Sequence, residues 1–143
     1  MKKSFLGFIL LFVLISSCRK YSDGPAVSLL SKKSRLCNDW VLLTHFINDE
    51  DVTNEAVTVK MAIDKDGTYS TSETFDALGQ LQGNYSNGNW SFGDTKDILY
   101  FYDNGAEKPT RTFKIKELRN KQIKIVEEFT SIDIVHTYTY VQN

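Results

Sequence analysis

Two runs of strict alternation limit what this chain can become. Val57, Val59, Met61 and Ile63 fall on one face of an extended backbone, with Thr58, Lys60 and Asp64 on the other. Near the C-terminus Ile132, Ile134, His136, Tyr138 and Tyr140 share a face opposite Asp133, Thr137 and Thr139. Strand side chains alternate between faces, so a period of two predicts half-buried strands. No window of comparable length has a helical period. β-Branched and aromatic residues dominate from Leu36 onward, and the whole chain has two prolines.

The pattern predicts eight strands, at 40–48, 56–63, 68–75, 85–92, 98–103, 110–118, 122–130 and 132–141. Asp64-Lys65-Asp66-Gly67 has the composition of a tight hairpin, with glycine where positive φ is cheap. Asp103-Asn104-Gly105, Arg119-Asn120-Lys121 and Gly93-Asp94 supply further turns. Short antiparallel links between eight strands predict an all-β, eight-stranded antiparallel up-and-down barrel, whose closure removes exposed edges. A two-sheet sandwich is the alternative, and it needs a long crossing connection. The one long irregular stretch, 76–84, would have to provide it.

Ahead of this domain, Lys2 and Lys3 precede an apolar run from Phe5 to Ile15 and then Ser16-Ser17-Cys18. The run is too short to cross a bilayer, which takes about 20 apolar residues, and it has the organisation of a secretory signal. Ile15-Ser16-Ser17-Cys18 resembles the lipobox of bacterial lipoproteins. That resemblance implies cleavage before Cys18 and lipidation of its thiol. The expected organisation is a signal peptide at 1–17, a lipidated tether at 18–35 and the barrel at 36–143. Within the tether, Val27, Leu29 and Leu30 are expected to form one helical turn docked on the domain. Arg19 and Lys20 follow the lipidated cysteine where acidic sorting signals would stand. By elimination the expected location is the periplasmic face of the outer membrane, with the membrane contacted through the anchor.

Removal of 1–17 leaves a chain of ample size for one core. The charge balance is weakly acidic, with 17 Lys and Arg against 18 Asp and Glu in the whole sequence, and it carries no nucleic-acid footprint. With Cys18 acylated, Cys37 has no disulfide partner and reads as a small buried hydrophobe. No Gly-x-Ser-x-Gly, Ser-x-x-Lys or phosphate-cradling glycine loop occurs. Two histidines and one thiol on separate strands do not make a metal set. The chain is therefore expected to be non-enzymatic, with no cofactor and no metal.

The domain has a family resemblance. Asn38-Asp39-Trp40-Val41-Leu42 resembles the Gly-x-Trp opening of lipocalin-like barrels, with Asn38 in the glycine position. Ile63-Asp64-Lys65-Asp66-Gly67-Thr68-Tyr69, Gly88-Asn89-Trp90-Ser91-Phe92 and Ile98-Leu99-Tyr100-Phe101 are similar to successive strands of small bacterial lipocalin-like lipoproteins. Phe113–118 with Gln122-Ile123-Lys124-Ile125 resembles their penultimate hairpin. No arginine follows Arg119, so the likeness is to this bacterial group, mostly of unknown function, rather than to the secreted carriers.

A barrel of eight strands either holds one small ligand or is filled by its own side chains. In the first case the candidate ligand-binding residues are Trp40, Tyr69, Glu73, Trp90 and His136, the acid and the imidazole acting as polar anchors in an apolar pocket, and the ligand is a small apolar or amphipathic molecule. In the second the protein is a non-catalytic accessory subunit whose residues 76–89 form a functional loop or a long mobile hairpin. His45 alternates with Trp40, Leu42 and Phe46 in the wrong register to face inward, so it is expected to point out.

Overall fold

The computed structural model describes residues 29–143. The expected signal segment 1–17, the lipidation site Cys18 and the tether as far as residue 28 lie outside the described residues. A short helix, α1 (Lys32–Leu36), precedes nine strands: β1 (Asp39–Ile47), β2 (Glu50–Asp51), β3 (Val57–Ile63), β4 (Thr68–Ala77), β5 (Gln80–Phe92), β6 (Ile98–Asp103), β7 (Arg111–Leu118), β8 (Gln122–Phe129) and β9 (Ile134–Gln142). Every neighbouring pair is antiparallel, and β1 pairs with β3 on one side and β9 on the other. The β1–β9 ladder runs from Trp40↔Gln142 to Ile47↔His136 and closes the ring. β2 only folds back on the end of β1, so the molecule is an eight-stranded barrel and the sandwich is excluded.

Three local features depart from the sequence expectation. The stretch 76–84, read as irregular, is mostly ladder: β4 and β5 pair without a break from Thr68↔Asn89 to Ala77↔Gln80. Leu78 (φ 57°) and Gly79 (φ 80°) make the turn, and the Gly79 N–H donates to Asp76 Oδ1 at 2.8 Å. Second, the docked helical turn is Lys32–Leu36, while Leu29 and Leu30 lie outside any helix and Val27 lies outside the described residues. Leu29 and Leu30 are exposed, whereas Arg35 and Leu36 are buried. Ser31 caps this helix by accepting from Ser34 N–H at 3.0 Å.

The third departure is a register shift between Leu42 and Thr44 in β1. Leu42 faces Tyr140, but His45 then faces Tyr138 and Ile47 faces His136. The extra residue, Leu43, bulges out and is exposed. A bulge of one residue inverts the alternation beyond it, so His45 points into the barrel, not out of it.

The up-and-down topology gives the barrel two unlike ends. The β3–β4, β5–β6 and β7–β8 turns meet α1 at one end, the base. The β1–β3, β4–β5, β6–β7 and β8–β9 connections surround the other, the mouth. Leu36, Trp40, Ile63, Leu99, Leu118 and Ile123 pack the base, and Leu36, Leu99, Leu118 and Ile123 are fully inaccessible. α1 is the plug of this end. The Arg35 guanidinium donates to the Leu118 carbonyl, and the Leu36 carbonyl accepts the Trp40 indole N–H at 2.9 Å.

Candidate functional site

Inward-facing side chains change character along the barrel axis. Toward the base, Met61, Tyr69, Trp90, Phe101, Phe113 and Ile125 are buried. Toward the mouth, Leu42, His45, Ile47, Val57, Val59 and Tyr138 face the same interior but are only half-buried. The interior is thus closed below and reached by solvent above, which makes a cup.

Polar groups gather on one wall of that cup, contributed by β1, β7, β8 and β9. His45 Nε2 and His136 Nδ1 lie 2.9 Å apart and share a hydrogen bond. The Tyr138 hydroxyl is 3.2 Å from the same Nδ1, and its ring stacks on His45 at 4.5 Å. Arg111 Nε and Nη2 donate to Glu127 Oε1 and Oε2 at 3.1 and 2.6 Å, a bidentate pairing. The guanidinium also sits over the Phe113 ring at 4.6 Å. Phe129 presents its ring edge to His136, with centroids 5.4 Å apart.

The titration of these groups follows from where they sit. Burial lowers the His45 pKa, His136 and Arg111 lower it further, and Asp51 opposes them. Burial raises the Tyr138 hydroxyl, against the pull of Arg111. Burial works against the Arg111 charge, but the hydrogen bonds and charge of Glu127 outweigh it and hold the guanidinium more firmly protonated. The Tyr140 hydroxyl, deep below the cluster, is pushed well above the ordinary phenol value by burial. At neutral pH the wall therefore presents the neutral His45 imidazole and neutral phenols around one neutralised ion pair.

The five ligand candidates are not brought together. Trp40, Tyr69 and Trp90 belong to the packed lower interior. Each has its polar atom engaged locally: Trp40 with Leu36, Trp90 N–H donating to Asp64 O at 2.8 Å, and Tyr69 O–H donating to Asp103 Oδ1 at 2.5 Å. Glu73 is exposed, in register with Val59 and Asn84 on the opposite side of the mouth. His136 alone lies in the polar wall. Arg111, Glu127 and Tyr138 complete it without having been marked by the sequence, and His45, expected to point out, joins them. For Tyr138, parity with His136 was the available signal. For His45, the bulge removed it.

Two recesses open elsewhere. One, of about 410 Å³, lies on the outer surface of β3–β4–β5 beside Lys60, Ser70, Ser72, Tyr85 and Asn87. The other, about 400 Å³, is at the base between Cys37, Asp64, Lys65 and Gln142. Cys37 packs on the core, and burial raises its thiol pKa while Lys33 and Lys65 oppose the rise. Among the described residues no group of three or more His, Cys, Asp or Glu side chains is placed to hold a metal, and no helix is long and apolar enough to cross a membrane.

No protein-family model matches the chain, and no curated protein sequence matches it. Solved structures do match in shape. Japanin from Rhipicephalus appendiculatus, in a crystal form bound to cholesterol, superposes with a TM-score of 0.56 at 13% identity over 79% of each chain. The odorant-binding protein of bovine nasal mucosa gives 0.47 at 12% identity, over 82% of this chain and 77% of that one. The shared feature is the lipocalin-like fold.

Proposed function

We propose that this protein binds one small amphipathic molecule in the mouth half of its barrel and performs no chemistry on it. The observation that carries this reading is the cup: inward-facing Leu42, Ile47, Val57 and Val59 are apolar yet half-buried, beside a wall of imidazole, phenol and guanidinium groups. An apolar site with a few convergent polar groups is the usual composition of a ligand pocket. Japanin, which carries cholesterol on the same fold, supports the idea that such a barrel accommodates a molecule of this kind. The apolar part would lie on the β1–β3 side, and its polar end would exchange hydrogen bonds with His45, His136 and Tyr138.

The test is displacement of an uncharged naphthylamine dye from the purified full-length chain, together with native mass spectrometry. Dye binding that weakens about tenfold in Val59→Trp, which fills the cup, supports the reading. Absence of any dye binding, with a mass showing the bare polypeptide, overturns it.

We further infer that Cys18 is lipidated and tethers the barrel to the periplasmic face of the outer membrane, on the strength of the signal-like segment before it. Two or more acyl chains hold a protein firmly where one is marginal. Cys18→Ala should appear in the soluble fraction, and a variant still tightly membrane-bound would remove the anchor.

A further inference from the structure

Closing the barrel leaves one long stretch of strand with a single neighbour. β4 pairs with β5 along the whole hairpin, but β6 joins β5 only from Gly88 onward. Residues 80–87 therefore project past β6, and all of them are exposed. Two hydrogen bonds fix the side to which each backbone group points. Trp90 N–H donates to Gly67 O at 2.8 Å on the β4 side, and Asn87 O accepts from Asn104 N–H at 3.3 Å on the β6 side. Backbone groups alternate sides along a strand, and the β4–β5 ladder has no register shift. Leu81, Gly83 and Tyr85 thus point their N–H and C=O groups away from β4. None of these groups has a hydrogen-bond partner among the described residues.

An open edge is a template for another strand, and folded chains usually blunt it with lysine, proline or a bulge. Here Gln80-Leu81-Gln82-Gly83-Asn84-Tyr85-Ser86-Asn87 contains no charge and no proline. A charged partner gains nothing from such an edge, and a second copy of it meets no repulsion. The edge is also complementary to itself. A two-fold axis through Gly83 sets Leu81 opposite the partner's Tyr85 and Gln82 opposite the partner's Asn84. Leu81 and Tyr85 share one face and are each 75% exposed, so the pairing covers an aliphatic side chain with an aromatic one twice. On the other face amide meets amide. In this register Leu81, Gly83 and Tyr85 each oppose a residue whose backbone groups also point outward, as a pair exchanging both N–H···O bonds requires.

We propose that the free edge of β5 is a dimerisation surface, at which residues 81–85 of two copies of this chain pair antiparallel about a two-fold axis at Gly83. The contact uses the same patch on both copies and closes at two chains. It joins the two β4–β5 hairpins into one four-stranded ribbon, with a Leu81–Tyr85 pair on either side of the axis. The edge lies outside the lumen, so a vacant or filled cup leaves the proposal standing.

Sedimentation equilibrium of the full-length chain between about 1 μM and about 1 mM tests it. A reversible equilibrium between monomer and dimer is expected. Leu81→Lys/Tyr85→Lys sets lysine against lysine twice across the axis and should weaken the dimer about tenfold or more. Leu81→Lys/Tyr85→Glu sets lysine against glutamate and should recover about tenfold over that variant. Within one chain the two positions are about 13 Å apart along the strand, so the recovery reads contact between chains. Tyr85→Pro removes an N–H that points away from β4, which keeps the hairpin ladder whole, and it should abolish the dimer. Both lysine variants change only exposed side chains, so their dimers report on the edge even if the proline variant fails to fold. Monomer at every concentration overturns the proposal. So does a dimer that survives Tyr85→Pro, or a lysine–glutamate variant that dimerises no better than the lysine–lysine one.

Discussion

The base and the mouth are built from the same eight strands, yet one is finished and the other is not. At the base a plug of one helical turn covers the interior, every indole N–H has a carbonyl, and the turns mix charges, with Lys65, Lys96, Arg119 and Lys121 against Asp64, Asp66, Asp94 and Asp97. At the mouth no described helix covers the interior, histidines replace leucines on the inner wall, and the turns are acidic with apolar tips. Stability resides where the core is closed, and the proposed recognition lies where it is left open. A barrel needs only one packed end to hold its register.

The contrast breaks first at Trp40. It is 1% exposed in the base, so Trp40→Ala should cost about 3–5 kcal/mol through lost burial and the cavity left behind. Tyr138→Ala in the half-buried cup should cost clearly less, since solvent already reaches its site. Urea unfolding of both variants measures the difference, and equal losses would mean that the mouth is as much core as the base.

Next comes the ion pair. Arg111→Ala leaves the buried Glu127 carboxylate without its partner and should cost about 1–3 kcal/mol, less than for a fully buried pair because the guanidinium is partly solvated. Arg111→Met/Glu127→Leu removes both charges and should recover most of that loss in the same unfolding experiment. If the double variant is no better than the single one, the pair contributes more than mutual neutralisation.

A third test uses pH. The folded His45 pKa lies below the ordinary value of about 6.5. The unfolded chain therefore takes up this proton first as pH falls, and stability is lost between about 6.5 and the lower folded value. Asp51 and Asp66 are shifted down, chiefly by hydrogen bonds from Thr53 and Thr68, so their effects fall in the carboxylate range and do not overlap. The thermal midpoint should decline from about pH 7 to about pH 5 in the parent chain and decline less in His45→Gln. Parallel curves would show that the imidazole is not held neutral by its surroundings.

The base was more legible in sequence than the mouth, for physical reasons. Gly67 in its Asp-x-Asp-Gly turn and the Trp-bearing strands follow common rules: φ is 97° at Gly67, and the large apolar side chains point where alternation puts them. The six-residue strand Ile98–Asp103 was read to its ends. At the mouth those rules are overridden. β5 carries Gly83, Asn84, Asn87 and Gly88 in a thirteen-residue strand, a composition that reads as loop because the ladder with β4, not propensity, holds it extended. Gly88 is there because a Cβ would fall 1.9 Å from the Tyr102 carbonyl oxygen, a close approach of two backbones that no single sequence reveals. The bulge at Leu43 likewise leaves no local mark, and with it went the orientation of His45 and most of the polar wall.

The smallest expected effect bears most directly on why the mouth is built this way. A two-residue hairpin turn with both residues at positive φ favours Asn-Gly, but here the first position is Leu78, at φ 57° and fully exposed. A leucine in that conformation is strained, and its side chain buries nothing in return. Leu78→Asn should therefore raise stability, by about 0.5–1 kcal/mol, measured as a shift of the urea midpoint. Such a gain would identify Leu78 as a residue retained against the interest of the fold, as strained positions at functional surfaces often are. An unchanged midpoint would show that the turn holds leucine at positive φ without strain.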